Sequence, residues 1–150
     1  MNVWLRRFFG FWALAGGAIG LGAVFGQVVR FPHLGLAQQI ALGVSVAFFG
    51  WGVWCGIRML EGHAAAARGN RNFWLIQIPV LSTPWCAWSL FSGVQLKLSM
   101  TFAPLAWDFH WHVLGAQASV DVGASQRPFA LGVNLFALCA ALYLATRGKR

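Results

Sequence analysis

The sequence predicts a membrane all-α protein of four transmembrane helices, with a small outward-facing β-hairpin or three-stranded meander between the third and fourth. Three observations predict it. Of 150 residues, 59% are hydrophobic and 9% charged, with mean hydropathy +0.64. A soluble domain carries about a quarter charged residues, so lipid must cover the surface that this chain cannot solvate. Long apolar runs recur at about 8–29, 36–60, 73–95 and 129–146. Residues 95–128 break that pattern: Trp107-Asp108-Phe109-His110-Trp111-His112-Val113 alternates apolar and polar at every step. Period two is the mark of a strand. One membrane domain, residues 1–150, accounts for the whole length.

The first run, 8–29, has no ionisable side chain and would make ~33 Å of helix, enough for ~30 Å of hydrocarbon. It is too long for the apolar region of a signal peptide, so it is read as a retained helix. Gly16/Gly20 and Ala18/Gly22/Gly26 are small residues four apart, a spacing that lets helices approach closely in lipid. Arg30 to Gly35, with Pro32 inside it, reads as a turn. The second run, 36–60, repeats the spacing at Gly43/Ala47 and Gly52/Gly56. Residues 61–72 read as a loop that Gly69 and Asn72 punctuate.

The third run, 73–95, contains Pro79 and Pro84, which should bend a helix. In a helix, Ser82, Cys86, Ser89 and Gly93 would share one face, with Gln77 and Ser92 as further polar groups. Such a row is either a helix–helix interface or a polar path for a small solute. Leu96 to Phe102 also alternates, and Ser119 to Gly123 reads as a third short strand after a turn at Gly115. In the fourth run Asn134 needs a partner, expected to be Ser89, Ser92 or main-chain groups freed in the bent third helix.

The net charge is +8. Eight cations (Arg6, Arg7, Arg58, Arg68, Arg71, Arg147, Lys149, Arg150) would share the side of both termini, against Arg30, Lys97 and Arg127 on the other. The positive-inside rule then puts both termini in the cytoplasm of a bacterial inner membrane and the β element outside. Cations at helix ends point to lipid headgroups rather than nucleic acid. The cysteines, Cys55, Cys86 and Cys139, are far apart and lie in apolar runs, as buried core residues do.

No phosphate loop, serine elbow or H-E-x-x-H motif is present. The groups that could carry chemistry are Asp108, His110 and His112, which share one strand face and could hold a divalent transition metal, with Asp121 or His33 completing the shell. Otherwise they are the wet face of a strand whose aromatic side, Trp107, Phe109 and Trp111, is covered by protein or by the headgroup layer. The functional expectation is a non-enzymatic interaction or scaffold protein, partnered by the bilayer and by another membrane protein or a second copy. A metal-handling protein and an oligomeric small-solute channel or carrier stand as alternatives.

Overall fold

Residues 73–95, expected as a bent membrane helix, are mostly β-strand. The computed structural model describes residues 2–30, 35–63, 65–102, 104–122 and 127–147. Within these the chain forms α1 (Val3–Arg30), α2 (Leu36–Glu61), α3 (Ala66–Leu75), β1 (Pro79–Ser82), β2 (Cys86–Phe102), β3 (Leu105–Val122), β4 (Ala130–Asn134) and α4 (Leu135–Arg147). The class is mixed α/β, and among the described residues only α1 and α2 are long and apolar enough to cross a membrane. The four-helix expectation is therefore overturned.

The physical reason lies in what an apolar run can be. Without charges, a run buried on both faces reads alike as helix or strand. The prolines decide it. Pro79 opens β1, where a missing amide is tolerated. Pro84 lies in the turn between β1 and β2, which Thr83 closes by accepting the Cys86 amide on its hydroxyl at 2.8 Å. The fourth span fails differently: residues 130–134 are strand, and α4 has 13 residues, or ~20 Å, short of the ~30 Å hydrocarbon.

Helices α1 and α2 meet through glycine. A Cβ on Gly17 would lie 2.7 Å from the Phe49 carbonyl, and one on Gly56 would lie 2.6 Å from the Leu14 amide. By contrast Gly22, Gly26 and Gly43 face open space, so only part of the expected small-residue row joins helices. The loop expected at 61–72 holds α3 instead. Its Phe73 and Trp74 are buried, Phe73 among Phe48 and Trp51, Trp74 against Phe136 of α4.

The sheet is antiparallel, in the order β1-β4-β2-β3, with a further pairing of β1 to β2. Strand β3 runs along one whole edge of β2. The other edge of β2 is shared: β1 pairs with residues 87–89, β4 pairs with residues 97–101, and β1 and β4 pair with each other. Serving both partners requires β2 to bend. It bends at Gly93, whose φ is +93°, opposite an extra residue in β3, Leu114, at φ +56°.

That extra residue keeps the sheet in phase. The large apolar side chains in β3 fall on odd numbers up to Val113, and the apolar ones that join the core after it, Ala116 and Ala118, fall on even numbers. One inserted residue turns both halves to the same face. The two strands expected at 107–113 and 119–123 are thus one bulged strand, and Gly115 lies within it rather than in a turn. A leucine in the left-handed region costs ~1–2 kcal/mol, and Leu114 is half exposed and gains little from burial. Leu114→Gly should therefore raise stability by ~1 kcal/mol, and Leu114→Val, β-branched at positive φ, should lower it. Thermal unfolding in mild detergent checks this; the reverse order would refute a strained bulge.

Candidate functional site: a buried polar seam and a two-faced ribbon

The shared edge of β2 leaves a gap between its β1 and β4 partners, and polar side chains fill it. Gln77, just after α3, donates from Nε2 to the Phe73 carbonyl at 3.0 Å and accepts the Ser92 amide on Oε1 at 2.7 Å. Asn134, which precedes α4, accepts the Ala137 amide at 3.3 Å and the Leu96 amide at 3.2 Å on one Oδ1. Its own amide donates to the Ile78 carbonyl at 2.9 Å. Each side chain therefore ends a helix and satisfies a strand amide that no neighbouring strand reaches. Gln77, Ser92 and Asn134 are fully buried, and Gln95 and Ser99 nearly so.

Three of the expected polar residues, Gln77, Ser92 and Asn134, come together in this seam. Asn134 finds Leu96 and Ala137, not Ser89 or Ser92. The other two lie apart from it. Ser82 ends β1 and donates to the Pro128 carbonyl at 3.2 Å, and Ser89 lies in β2 between Val80 and Ser119. The helical row through Ser82, Cys86, Ser89 and Gly93 does not exist, because a strand alternates its side chains. Sequence reasoning missed Gln95 and Ser99, whose polar character inside an alternating run was the available signal. Ser92 Oγ, Gln95 Nε2 and Asn134 Nδ2 have no hydrogen-bond partner among the described residues.

The second feature is the outer half of the β2–β3 ribbon. Cross-strand pairs Leu96–Trp111, Leu98–Phe109, Met100–Trp107 and Phe102–Leu105 put one apolar row on one face. Strand β4 adds Leu131 beside Met100 and Val133 beside Leu98. Trp107, Phe109 and Trp111 are 68%, 56% and 66% exposed, so no described part of the chain supplies the expected cover. An apolar row this long on an open face marks a contact surface.

The opposite face carries the candidate ligands. His110 Nε2 lies 2.6 Å from Asp108 Oδ2, both half exposed. The His112 ring stacks on Phe91, with centroids 5.9 Å apart and planes 18° apart. His33 and the side chain of Asp121 lie outside the described residues. Among the described residues no three His, Cys, Asp or Glu side chains gather as a metal-capable group, whereas a metal shell takes three or four protein donors. What the arrangement provides is a close Asp108–His110 contact on a polar face, backed by an aromatic face.

Comparison with protein-family models, with curated proteins and with solved structures finds no match to this chain.

Proposed function

We propose that this chain is a membrane-anchored, non-enzymatic protein that works by contact, held in the bilayer by α1 and α2 and presenting the β2–β3 ribbon to what it meets. The observation that carries the reading is the uncovered apolar surface of the helix pair. Phe11, Ile19, Phe25 and Val28 of α1, and Ile40, Val44 and Val46 of α2, are all exposed. Helices apolar on every side and exposed require a lipid surround. Gln77 and the Asn134 carbonyl are engaged in joining helices to strands, which favours a structural role for them over a solute path. The short Asp108–His110 pair alone does not favour a metal-handling role.

Two spans rather than four change the topology. The N-terminus, α3, α4 and the outer half of the β2–β3 ribbon then share one side, with ten of the 11 Lys+Arg residues. Arg30 alone is opposite, and the bend of β2 at Gly93 reaches in against Gly16. Positive-inside bias assigns the ten to the cytoplasm of a bacterial inner membrane, so the ribbon faces inward. Alkaline carbonate should leave the protein in the membrane fraction. In a background with Cys55, Cys86 and Cys139 replaced, a membrane-impermeant thiol reagent added to intact cells should label Gly35→Cys and spare Ala65→Cys and Asp108→Cys, the last at a half-exposed position of the ribbon. Release by carbonate would sink the anchoring, and outside labelling at 108 would sink the two-span topology.

A further inference from the structure

We infer that the aromatic face of the ribbon rests on the bilayer itself, in the headgroup layer beside Arg6 and Arg7, and that phospholipid covers it. The inference rests on the membrane reading above and adds a depth and an occupant. Between Arg7 and Arg30, α1 carries no charge, a length of ~33 Å that matches the ~30 Å hydrocarbon. Arg6 and Arg7 therefore mark one headgroup layer.

The structure fixes the ribbon against that scale. Gly16 of α1 lies against the main chain of Ser92 and Gly93, and a Cβ on Gly93 would lie 2.7 Å from the Trp12 carbonyl. Moving forward along β2 is thus moving toward the N-terminus of α1. Four residues on, Lys97 pairs with Asn134 at the start of α4, whose Phe136 ring is 6.5 Å from the ring of Phe8. The ribbon leaves the helices level with Phe8, beside Arg7. Trp111 and Phe109, opposite Leu96 and Leu98, begin the aromatic row at that level.

Tryptophan belongs at headgroup depth, and phenylalanine beside it suits the boundary with the acyl chains. Their face is the one α1 covers further back: Leu90, Ala116 and Ala118 join the core there, and the same face runs on without protein cover. The other face carries Lys97, Asp108 and His110, which suits water and phosphate. An apolar face backed by a polar one is the pattern of an element lying in an interface.

The test uses the full chain in vesicles of phosphatidylethanolamine and phosphatidylglycerol, with Cys55, Cys86 and Cys139 replaced. Nitroxides are attached at Phe25→Cys, Phe109→Cys and His110→Cys. Relaxation by oxygen should exceed relaxation by a water-soluble nickel chelate several-fold at 25 and 109, with the order reversed at 110. If 25 is lipid-exposed while 109 is nickel-accessible, the ribbon stands in water and the inference falls alone. If 109 is closed to both probes or shows spin–spin broadening, protein covers the face and the inference again falls. If 25 is nickel-accessible, the membrane reading falls with it. A label-free measurement guards against disturbance at 109. Lipid brominated near the headgroup should quench the native tryptophans, and Trp107→Phe/Trp111→Phe should remove a distinct part of that quenching. An unchanged quenched fraction would overturn the inference.

Discussion

Replacing Gly16 by valine is expected to remove about 3 kcal/mol or more of stability, the upper range for overpacking a site that cannot relax. The added Cβ would coincide with the Gly93 amide and the Ser92 main chain, and would lie 2.5 Å from Ser92 Oγ. Neither side can retreat. Strand β2 is held by β3 on one edge and by β1 and β4 on the other. Helix α1 is held from behind, because a Cβ on the next residue, Gly17, would lie 2.7 Å from the Phe49 carbonyl of α2. The contact is backbone against backbone, and no rotamer relieves it. Gly22→Val is the control, since nothing lies within 4 Å of a Cβ there, and it should be close to neutral. At ~2–4 °C per kcal/mol for a chain this size, Gly16→Val should lower Tm by roughly 10 °C. Tryptophan fluorescence during thermal unfolding in mild detergent measures it. Equal losses for the two variants would mean that α1 does not lie on the bend of β2.

Which parts of this fold could be read from the sequence follows from which patterns have one physical meaning. The alternation over 107–113 has one meaning, and those residues are strand with Asp108 and His110 on one face. The runs at 8–29 and 36–60 are too long and too apolar to be anything but helix, and they correspond to α1 and α2. The run at 73–95 has two meanings. Trp88, Leu90 and Val94 are apolar on the face that joins the helix core, and Phe91 is apolar and buried on the other, against His112 and Gly115, so the period that separates helix from strand is erased. Only Pro79 and the Thr83-Pro84 turn carried the answer, and both can also be read as kinks in a helix.

The candidate site divides the same way. Ribbon pairs such as Leu98–Phe109 follow from two alternating stretches joined by a turn. The phase change at Leu114 does not, because leucine gives no local sign that it will adopt positive φ. Nor do the partners of Gln77 and Asn134. A lone amide in an apolar run announces that a partner is needed, but which main-chain group supplies it depends on a gap between two strands distant in sequence.

That gap makes Asn134 the most consequential single side chain of the seam, and Asn134→Leu is expected to destabilise the protein by about 2–5 kcal/mol. Leucine is similar in volume and avoids a cavity, so the loss reads the hydrogen bonds. Two amides lose their acceptor: Ala137, in the first turn of α4, and Leu96, in the part of β2 that β4 does not reach. Loss of a helix N-cap costs ~0.5–2 kcal/mol, and a buried amide left unpaired costs ~1–3 kcal/mol. Asn134 is fully buried, so water does not replace the carbonyl. Its Nδ2 has no partner among the described residues, so removing that group forfeits no bond to them. Asn134→Ser separates the two losses. A serine hydroxyl still caps the helix at Ala137 but is one atom too short to reach Leu96 as well, so about half of the destabilisation should return. Amide hydrogen exchange in detergent reports the residues directly. The Leu96 amide should exchange faster in both variants and the Ala137 amide only in Asn134→Leu. Unchanged protection at Leu96 in both would mean that this strand amide finds its acceptor elsewhere, and that Asn134 serves α4 alone.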